Sequence, residues 1–126
     1  MAEHPNATAV RRMIDALNSG DMQAMAGSLS DDVIWHEIGN PEPVRGKAAL
    51  AARMSGGSLG EYKFSSETHD IVANDEHAVA LMTTTVKHGD ASITYRTAEI
   101  FHVKDGVITE RWAFSDDTDA IVKFFS

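Results

Sequence analysis

The stretch ITYRTAEIFHVKDGVITERWAF, residues 93–114, decides the fold. It consists of two apolar runs of strand length, separated by Asp105-Gly106, a dipeptide typical of a tight β-hairpin turn. Short polar breaks at 74–76 and 88–90 divide the preceding residues in the same way. The pattern therefore predicts an antiparallel series of four strands, at about 62–74, 77–88, 91–104 and 107–115.

The first half of the chain has helical periodicity instead. Val10, Met13, Ile14 and Leu17 recur on one helical face. Gly20 ends this helix, and the residues after it indicate a short helix capped by Asp21, a strand at 33–38, a helix at 47–54 and a loop at 55–60. An acidic segment at 116–119 leads into an apolar tail at 120–125. This order predicts an α+β fold with three N-terminal helices packed on a strongly curved mixed or antiparallel sheet.

Length and charge exclude several classes of partner. The 126 residues fit one domain, 1–126, and the formal net charge of −8 disfavours binding to nucleic acid or to an anionic membrane. The chain has no cysteine, which excludes disulfides and thiolate chemistry. No targeting or transmembrane segment is evident, so we expect a cytoplasmic protein.

Two glutamates stand in apolar surroundings. Strand alternation predicts that Glu99 shares a face with Tyr95, Thr97 and Phe101. The same alternation predicts a shared face on the last strand for Ile108, Glu110, Trp112, Phe114 and Asp116. Trp35, Phe101, Trp112 and Phe114 would then line an apolar pocket that holds Glu37 and Glu99. Burial of a carboxyl group without a cation raises its pKa, which suits it to acid–base work near neutral pH.

Structural alternatives exist for both acids. Glu37 could be solvated at a rim or pair with Arg45 or Lys47, and Glu99 could pair across the sheet with Arg111 or Arg96. The histidines show no His-x-His or His-x-x-x-His spacing, so no metal site is predicted.

The chain resembles the nuclear-transport-factor-2-like superfamily, in particular its ketosteroid isomerase and SnoaL-like branches. The resemblance covers nearly the whole chain and lies in ALNSGDMQAMAGSLSDDVIWHEIGNPEPVRGKAAL (16–50), IVANDEHAVAL (71–81) and FHVKDGVITERWAFSDD (101–117). It implies a cone-shaped α+β fold and a general base at Glu37. It also implies a second carboxyl group at Glu99, kept protonated so that it donates to an oxyanion. The oxyanion-binding tyrosine of ketosteroid isomerases falls on Met13, which cannot donate a hydrogen bond.

The chain is also similar to two other branches of this superfamily. Limonene epoxide hydrolases use an Asp-Arg-Asp arrangement, but here Arg96 is followed two residues later by Ala98. SnoaL-like cyclases have an acidic residue near the end of the last strand, a place that Asp116 or Asp117 could take.

We therefore expect an enzyme that performs cofactor-independent acid–base chemistry, such as isomerisation, cyclisation, dehydration or epoxide hydrolysis, on a small apolar molecule. The predicted catalytic residues are Glu37, Glu99 and Asp116. The predicted substrate-binding residues are Met13, Trp35, Tyr95, Phe101, Trp112 and Phe114. The alternatives are a non-catalytic protein that binds a hydrophobic ligand and an association module. The resemblance implies a homodimer under all three.

Overall fold

The computed structural model describes residues 3–55 and 61–126. In chain order the elements are α1 (Pro5–Ser19), α2 (Met22–Gly27), β1 (Leu29–Trp35), β2 (Val44–Arg45), α3 (Lys47–Ser55), β3 (Lys63–Ala73), β4 (His77–His88), β5 (Ala91–Lys104), β6 (Val107–Ser115) and α4 (Thr118–Phe125). The predicted α+β class is confirmed. The expected helix count needs a correction, because the apolar tail forms α4, whose first turn Asp117 caps by accepting from the Ala120 backbone N–H.

The six strands form one mixed sheet in the order β2-β1-β6-β5-β4-β3. Strands β3 to β6 pair antiparallel in sequence, and their bounds agree with the four predicted strands to within one residue. Strand β1 pairs parallel with β6 and begins earlier than predicted, because Leu29 already lies opposite Ile108. The predicted loop at 55–60 begins inside α3, and its residues 56–60 lie outside the described ranges.

Helix α1 packs its predicted apolar face on the sheet. Val10, Met13 and Ile14 are all at most 3% exposed. Gly20 ends the helix with a φ of 74°, a left-handed conformation that glycine adopts readily. The Asn18 side chain then reaches edge strand β3, donating to the Ser66 carbonyl at 2.8 Å and accepting from its N–H at 2.9 Å. Asn18 thus satisfies backbone groups that an edge strand would otherwise expose.

A β-bulge in β6 determines which of its side chains face the core. His102 lies opposite Glu110 and Val103 lies opposite Ile108, which leaves Thr109 as an extra residue. Side-chain facing alternates with a period of two, so one extra residue exchanges the two faces for the rest of the strand. Beyond the bulge, Arg111 shares the inner face with its partner Phe101.

The buried side chains form two clusters with a space between them. The larger cluster joins α1, β1 and the inner face of the sheet. The smaller one joins Val86 and Tyr95 of the sheet to Ile121 of α4. The fold thus leaves a hollow between the sheet and its helices. Within the described residues, no helix is long and apolar enough to cross a membrane.

Candidate active site in the cavity between sheet and helices

A cavity of about 570 Å³ lies between the inner face of the sheet and helices α1, α3 and α4. Its volume falls in the range of small-molecule sites. Most of the lining is apolar and includes Met13, Leu17, Trp35, Ile38, Met82 and Phe125. Glu37 and Glu99 both line the cavity, so the two acids that the sequence singled out do face one space.

The Glu99–Arg111 ion pair forms the more deeply buried polar feature of the cavity wall. Arg111 Nε and Nη2 donate to Glu99 Oε1 at 3.1 and 2.9 Å, and both side chains are only 11% exposed. Thr97 Oγ1 donates to the other carboxylate oxygen at 2.9 Å. Both oxygens of Glu99 therefore accept hydrogen bonds, as suits an ionised carboxylate.

Two further contacts hold the Arg111 side chain in place. Its Nη1 donates to the His36 carbonyl at 2.8 Å, and its guanidinium lies 4.5 Å from the centre of the Trp35 ring. Such a cation–π contact stabilises a guanidinium that has lost much of its hydration. The arginine is therefore held in one orientation, and it holds the Glu99 carboxylate in turn.

A second ion pair joins Glu37 to Arg53 on α3. Arg53 Nε donates to Glu37 Oε2, and Asn40 Nδ2 approaches Oε1 at 3.3 Å. The Glu37 side chain is 15% exposed and that of Arg53 is 36% exposed, so this pair lies closer to solvent than Glu99–Arg111. The expectation of carboxyl groups without a cation is thus wrong for both glutamates.

Hydroxyl groups occupy part of the sheet wall. Ser66, Thr84 and Tyr95 line the cavity, and Ser66 Oγ lies 2.9 Å from Thr84 Oγ1. Burial, followed by the nearby negative charge of Glu99, raises the pKa of Tyr95 to about 12, although Arg111 acts in the opposite direction. Tyr95 is therefore a neutral phenol at physiological pH.

Four predicted site residues lie outside this cavity lining. The bulge at Thr109 turns Trp112 and Phe114 to the outer face, where Phe114 is 58% exposed and Trp112 stacks on His36 at 5.1 Å. Phe101 faces inward but is wholly buried in the core. Asp116 is exposed after β6, and its Oδ1 accepts from the Arg96 backbone N–H.

The other five predicted site residues do line the cavity: Met13, Trp35, Tyr95, Glu37 and Glu99. Two arginines, Arg53 and Arg111, pair with the two acids. Arg53 was not singled out by the sequence, because its partner Glu37 lies sixteen positions away on a different element. Arg111 appeared only as a structural partner for Glu99, and that pairing is confirmed. The sequence feature that indicated this pair was an arginine on the strand next to the one that carries the inward-facing Glu99.

No convergent set of metal ligands is present among residues 3–55 and 61–126. No three histidine, aspartate or glutamate side chains there lie close enough to hold a metal ion together. The chemistry that the described cavity offers is that of carboxylate, guanidinium and hydroxyl groups.

Comparison with known families and structures agrees with this architecture. The sequence model of the SnoaL-like domain matches residues 10–111. The chain therefore belongs to the SnoaL-like domain family, within the nuclear-transport-factor-2-like superfamily. No curated protein matches the sequence significantly.

Solved structures share the fold across nearly the whole chain. An LEH-like epoxide hydrolase from M. tuberculosis is 25% identical, with a TM-score of 0.79 over 94% of this chain and 87% of that one. A Δ5-3-ketosteroid isomerase from Mycobacterium sp. is 21% identical, with a TM-score of 0.75 over 89% of this chain and 93% of that one. A computationally designed 17-OHP binder is 14% identical, with a TM-score of 0.76 over the same shares, 89% and 93%. The fold thus hosts isomerases, epoxide hydrolases and a ligand binder, and it does not by itself select one activity.

Proposed function

We propose that this protein is a cofactor-independent acid–base enzyme that acts on a small, neutral, largely apolar molecule, with Glu99 as its general base. The observation that carries the proposal is the Glu99–Arg111 pair, 11% exposed, in the wall of an otherwise mostly apolar cavity. Well-packed hydrophobic residues usually stabilise a protein as well as a buried ion pair does. A buried pair that borders a cavity therefore favours a role in chemistry.

The hydrogen bonds of Glu99 favour the role of base over that of acid. A carboxylate has about four acceptor positions. Arg111 and Thr97 together donate three hydrogen bonds to Glu99, which leaves about one position for a proton from water or substrate. The resemblance to ketosteroid isomerases implied a protonated donor at Glu99, a role that these three donors disfavour.

An ionised base beside an apolar cavity suits epoxide hydration best among the reactions considered. Glu99 would take a proton from water as the water oxygen bonds to a ring carbon and the carbon–oxygen bond of the epoxide breaks. The released oxygen would take the proton back from Glu99, directly or through a water molecule, to give a vicinal diol. Likeness to an epoxide hydrolase at 25% identity supports this reaction class.

The two ion pairs also favour a substrate without charge. Each of the two glutamates in the cavity wall is paired with its own arginine, so neither carboxylate favours an ionised ligand over a neutral one. Glu37, paired with the more exposed Arg53, is the second acid of the site and is placed to contact the substrate near solvent. Asp116 has no place in this mechanism, because it lies outside the cavity lining.

The test compares Glu99→Gln with the wild-type protein on a panel of neutral aliphatic and cyclic epoxides. Loss of a general base lowers turnover by about 10²–10⁴-fold, while affinity for the diol product should change little because the shape of the side chain is kept. Glu110→Gln is the matched control, since the Glu110 carboxylate also has a side-chain partner, His36 at 2.8 Å, but lies outside the cavity lining. Equal turnover by wild type and Glu99→Gln would refute the assignment.

A non-catalytic binding protein is the second candidate, favoured by the apolar cavity itself. It predicts that wild type and Glu99→Gln bind the same neutral ligands and that neither converts any epoxide, ketone or lactone of the panel. Binding without turnover in both proteins would establish this alternative.

We also propose that the protein is a homodimer formed through the outer face of the sheet. Leu81 and Phe114 on that face are 44% and 58% exposed, and exposed apolar patches commonly mark interaction sites. Phe114→Glu should shift the sedimentation coefficient from that of a dimer to that of a monomer. A wild-type protein that sediments as a monomer at high concentration would refute the dimer.

A further inference from the structure

Three hydroxyl side chains form a row across the inner face of the sheet. Ser66 on β3 lies opposite Thr84 on β4, and Thr84 lies opposite Tyr95 on β5. All three line the cavity, Thr84 and Tyr95 being 5% and 8% exposed. The neighbouring row on one side consists of Phe64, Val86 and Ile93 and is wholly apolar, while the row on the other side consists of Thr68, Met82 and Thr97. The hydroxyl row is therefore an uncharged polar band beside an apolar row of the sheet wall.

The hydroxyl row has hydrogen-bonding capacity left over. Ser66 and Thr84 carry one hydroxyl proton each, and their mutual bond at 2.9 Å uses only one of the two. Within the described residues, the Tyr95 hydroxyl makes no hydrogen bond to the protein. Two donors thus remain for an occupant of the cavity. Hydroxyl groups facing an apolar space gain free energy when a ligand supplies acceptors for them.

The chemistry of the row fits a neutral oxygen. None of its three side chains is charged, because Tyr95 stays protonated at physiological pH, its pKa being about 12 through burial and the charge of Glu99. Carbonyl, ether and hydroxyl oxygens accept from such donors without the desolvation penalty of an ion.

The row and the Glu99–Arg111 pair lie at different places on one strand face. Tyr95 and Glu99 are four residues apart on β5, which separates their α-carbons by about 13 Å at 3.3 Å per residue. Both line the same cavity, with Met82 also in the wall. A single elongated ligand can therefore touch both polar places while its middle contacts apolar side chains.

We propose that the hydroxyl row is a second subsite, which binds a neutral oxygen at the far end of an elongated apolar substrate whose other end lies against Glu99. Which end reacts rests on the proposed function, whereas the existence of the subsite does not. The substrate class is then a hydrocarbon-rich molecule with two separated oxygen functions, rather than one with a single polar end.

The test measures binding alone, by calorimetry on the full chain with a homologous series of straight-chain α,ω-diols and the matching primary alcohols. Wild type should bind the best-fitting diol about 2- to 12-fold more tightly than its alcohol, the range that one net hydrogen bond provides. An optimum in chain length is expected, because the diol must span both places. Equal affinities for diols and alcohols at every length would overturn the proposal.

Variants then locate the second contact. Thr84→Val and Tyr95→Phe should each reduce the preference for the diol over the alcohol of the same length. Thr85→Val is the matched control, since Thr85 bonds to Thr94 at the same 2.9 Å on the exposed outer face. Tyr95→Phe is the conservative test should Thr84→Val fold poorly. An unchanged diol preference in Tyr95→Phe, or the same loss in Thr85→Val, would contradict the assignment.

Failure of the subsite and failure of the proposed function give different results. A lack of diol preference together with inactive Glu99→Gln would refute the subsite and leave the base assignment standing. A clear diol preference with full activity in Glu99→Gln would refute the base assignment and leave the subsite standing.

Discussion

Replacing Arg111 by methionine should destabilise the protein strongly at neutral pH, because it leaves the Glu99 carboxylate buried without its cation. Both side chains of this pair are 11% exposed, so solvent screens the uncompensated charge only weakly. Methionine keeps much of the apolar stem of arginine, which limits the loss of packing against Trp35. The main effect of Arg111→Met is therefore electrostatic.

Removing one partner of a buried ion pair reduces the free energy of unfolding by about 3–5 kcal/mol. The wild-type domain is expected to have about 5–15 kcal/mol in total, so the variant would retain only part of its stability. Loss of the hydrogen bond to the His36 carbonyl and of the contact with Trp35 adds to the effect.

Urea denaturation at neutral pH measures these differences in the free energy of unfolding. Arg53→Met is the matched control, because Arg53 is 36% exposed and its loss from the Glu37 pair should reduce stability by only about 1 kcal/mol. The double variant Glu99→Leu with Arg111→Met, which removes both charges, should recover most of the loss. A deficit below about 1 kcal/mol in Arg111→Met would refute the reasoning.

Two further predictions concern tyrosine ionisation and the docking of α4. The pKa of Tyr95 is raised to about 12, above the ordinary value near 10. The stability that goes with this shift, about 2–3 kcal/mol, is fully present below pH 10 and is lost as the pH rises through 12. Tyr95→Phe should abolish that loss in alkaline denaturation, and identical alkaline profiles of wild type and variant would contradict the prediction. Gly39→Ala combines strain at a φ of 79° with an overlap between the new methyl group and Val122 of α4. Thermal melting should show a loss of stability about 1–3 kcal/mol larger than that of Gly89→Ala, since Gly89 has a φ of 60° and open space around it. Equal losses would contradict the prediction and show that Val122 moves away freely.

The sequence predicted the meander well because its signals are local. The turns at Asn74, His88 and Asp105 each interrupt an apolar run, and the observed strands β3 to β6 begin and end within one residue of the predicted bounds. Alternation on β5 was equally informative, since Tyr95 and Glu99 do share the buried face. Where a strand is regular, period-two patterning is enough to assign its faces.

Which side chains of β6 face the core could not be predicted, because this depends on a single extra residue in the strand. Thr109 is bulged between Ile108 and Glu110, and this moves Trp112 and Phe114 to the outer face while Arg111 turns inward. Nothing in the composition of the strand marks that position, since threonine is an ordinary strand residue. The bulge arises from pairing with β5, which is a property of the folded sheet.

The sequence offered Arg111 only as one alternative partner of Glu99 and did not single out Arg53, for a related reason. Arg53 is brought to Glu37 by the packing of α3 beside β1, and Arg111 is brought to Glu99 by the bulge. Both contacts depend on tertiary structure rather than on spacing along the chain. The sequence located the two acids in the cavity, but it could not choose between a paired and an unpaired Glu99 and did not identify Arg53 as the partner of Glu37.

The central claim is that the Glu99 carboxylate, held by Arg111, faces a cavity that binds a neutral apolar molecule. A crystal structure of the protein soaked with a panel of apolar epoxides, ketones and lactones tests it most directly. The account predicts a bound molecule inside the cavity, with a reactive atom or an ordered water within hydrogen-bonding distance of Glu99. A cavity closed by its methionine and aromatic side chains, with ligands bound only on the outer face of the sheet, would contradict it.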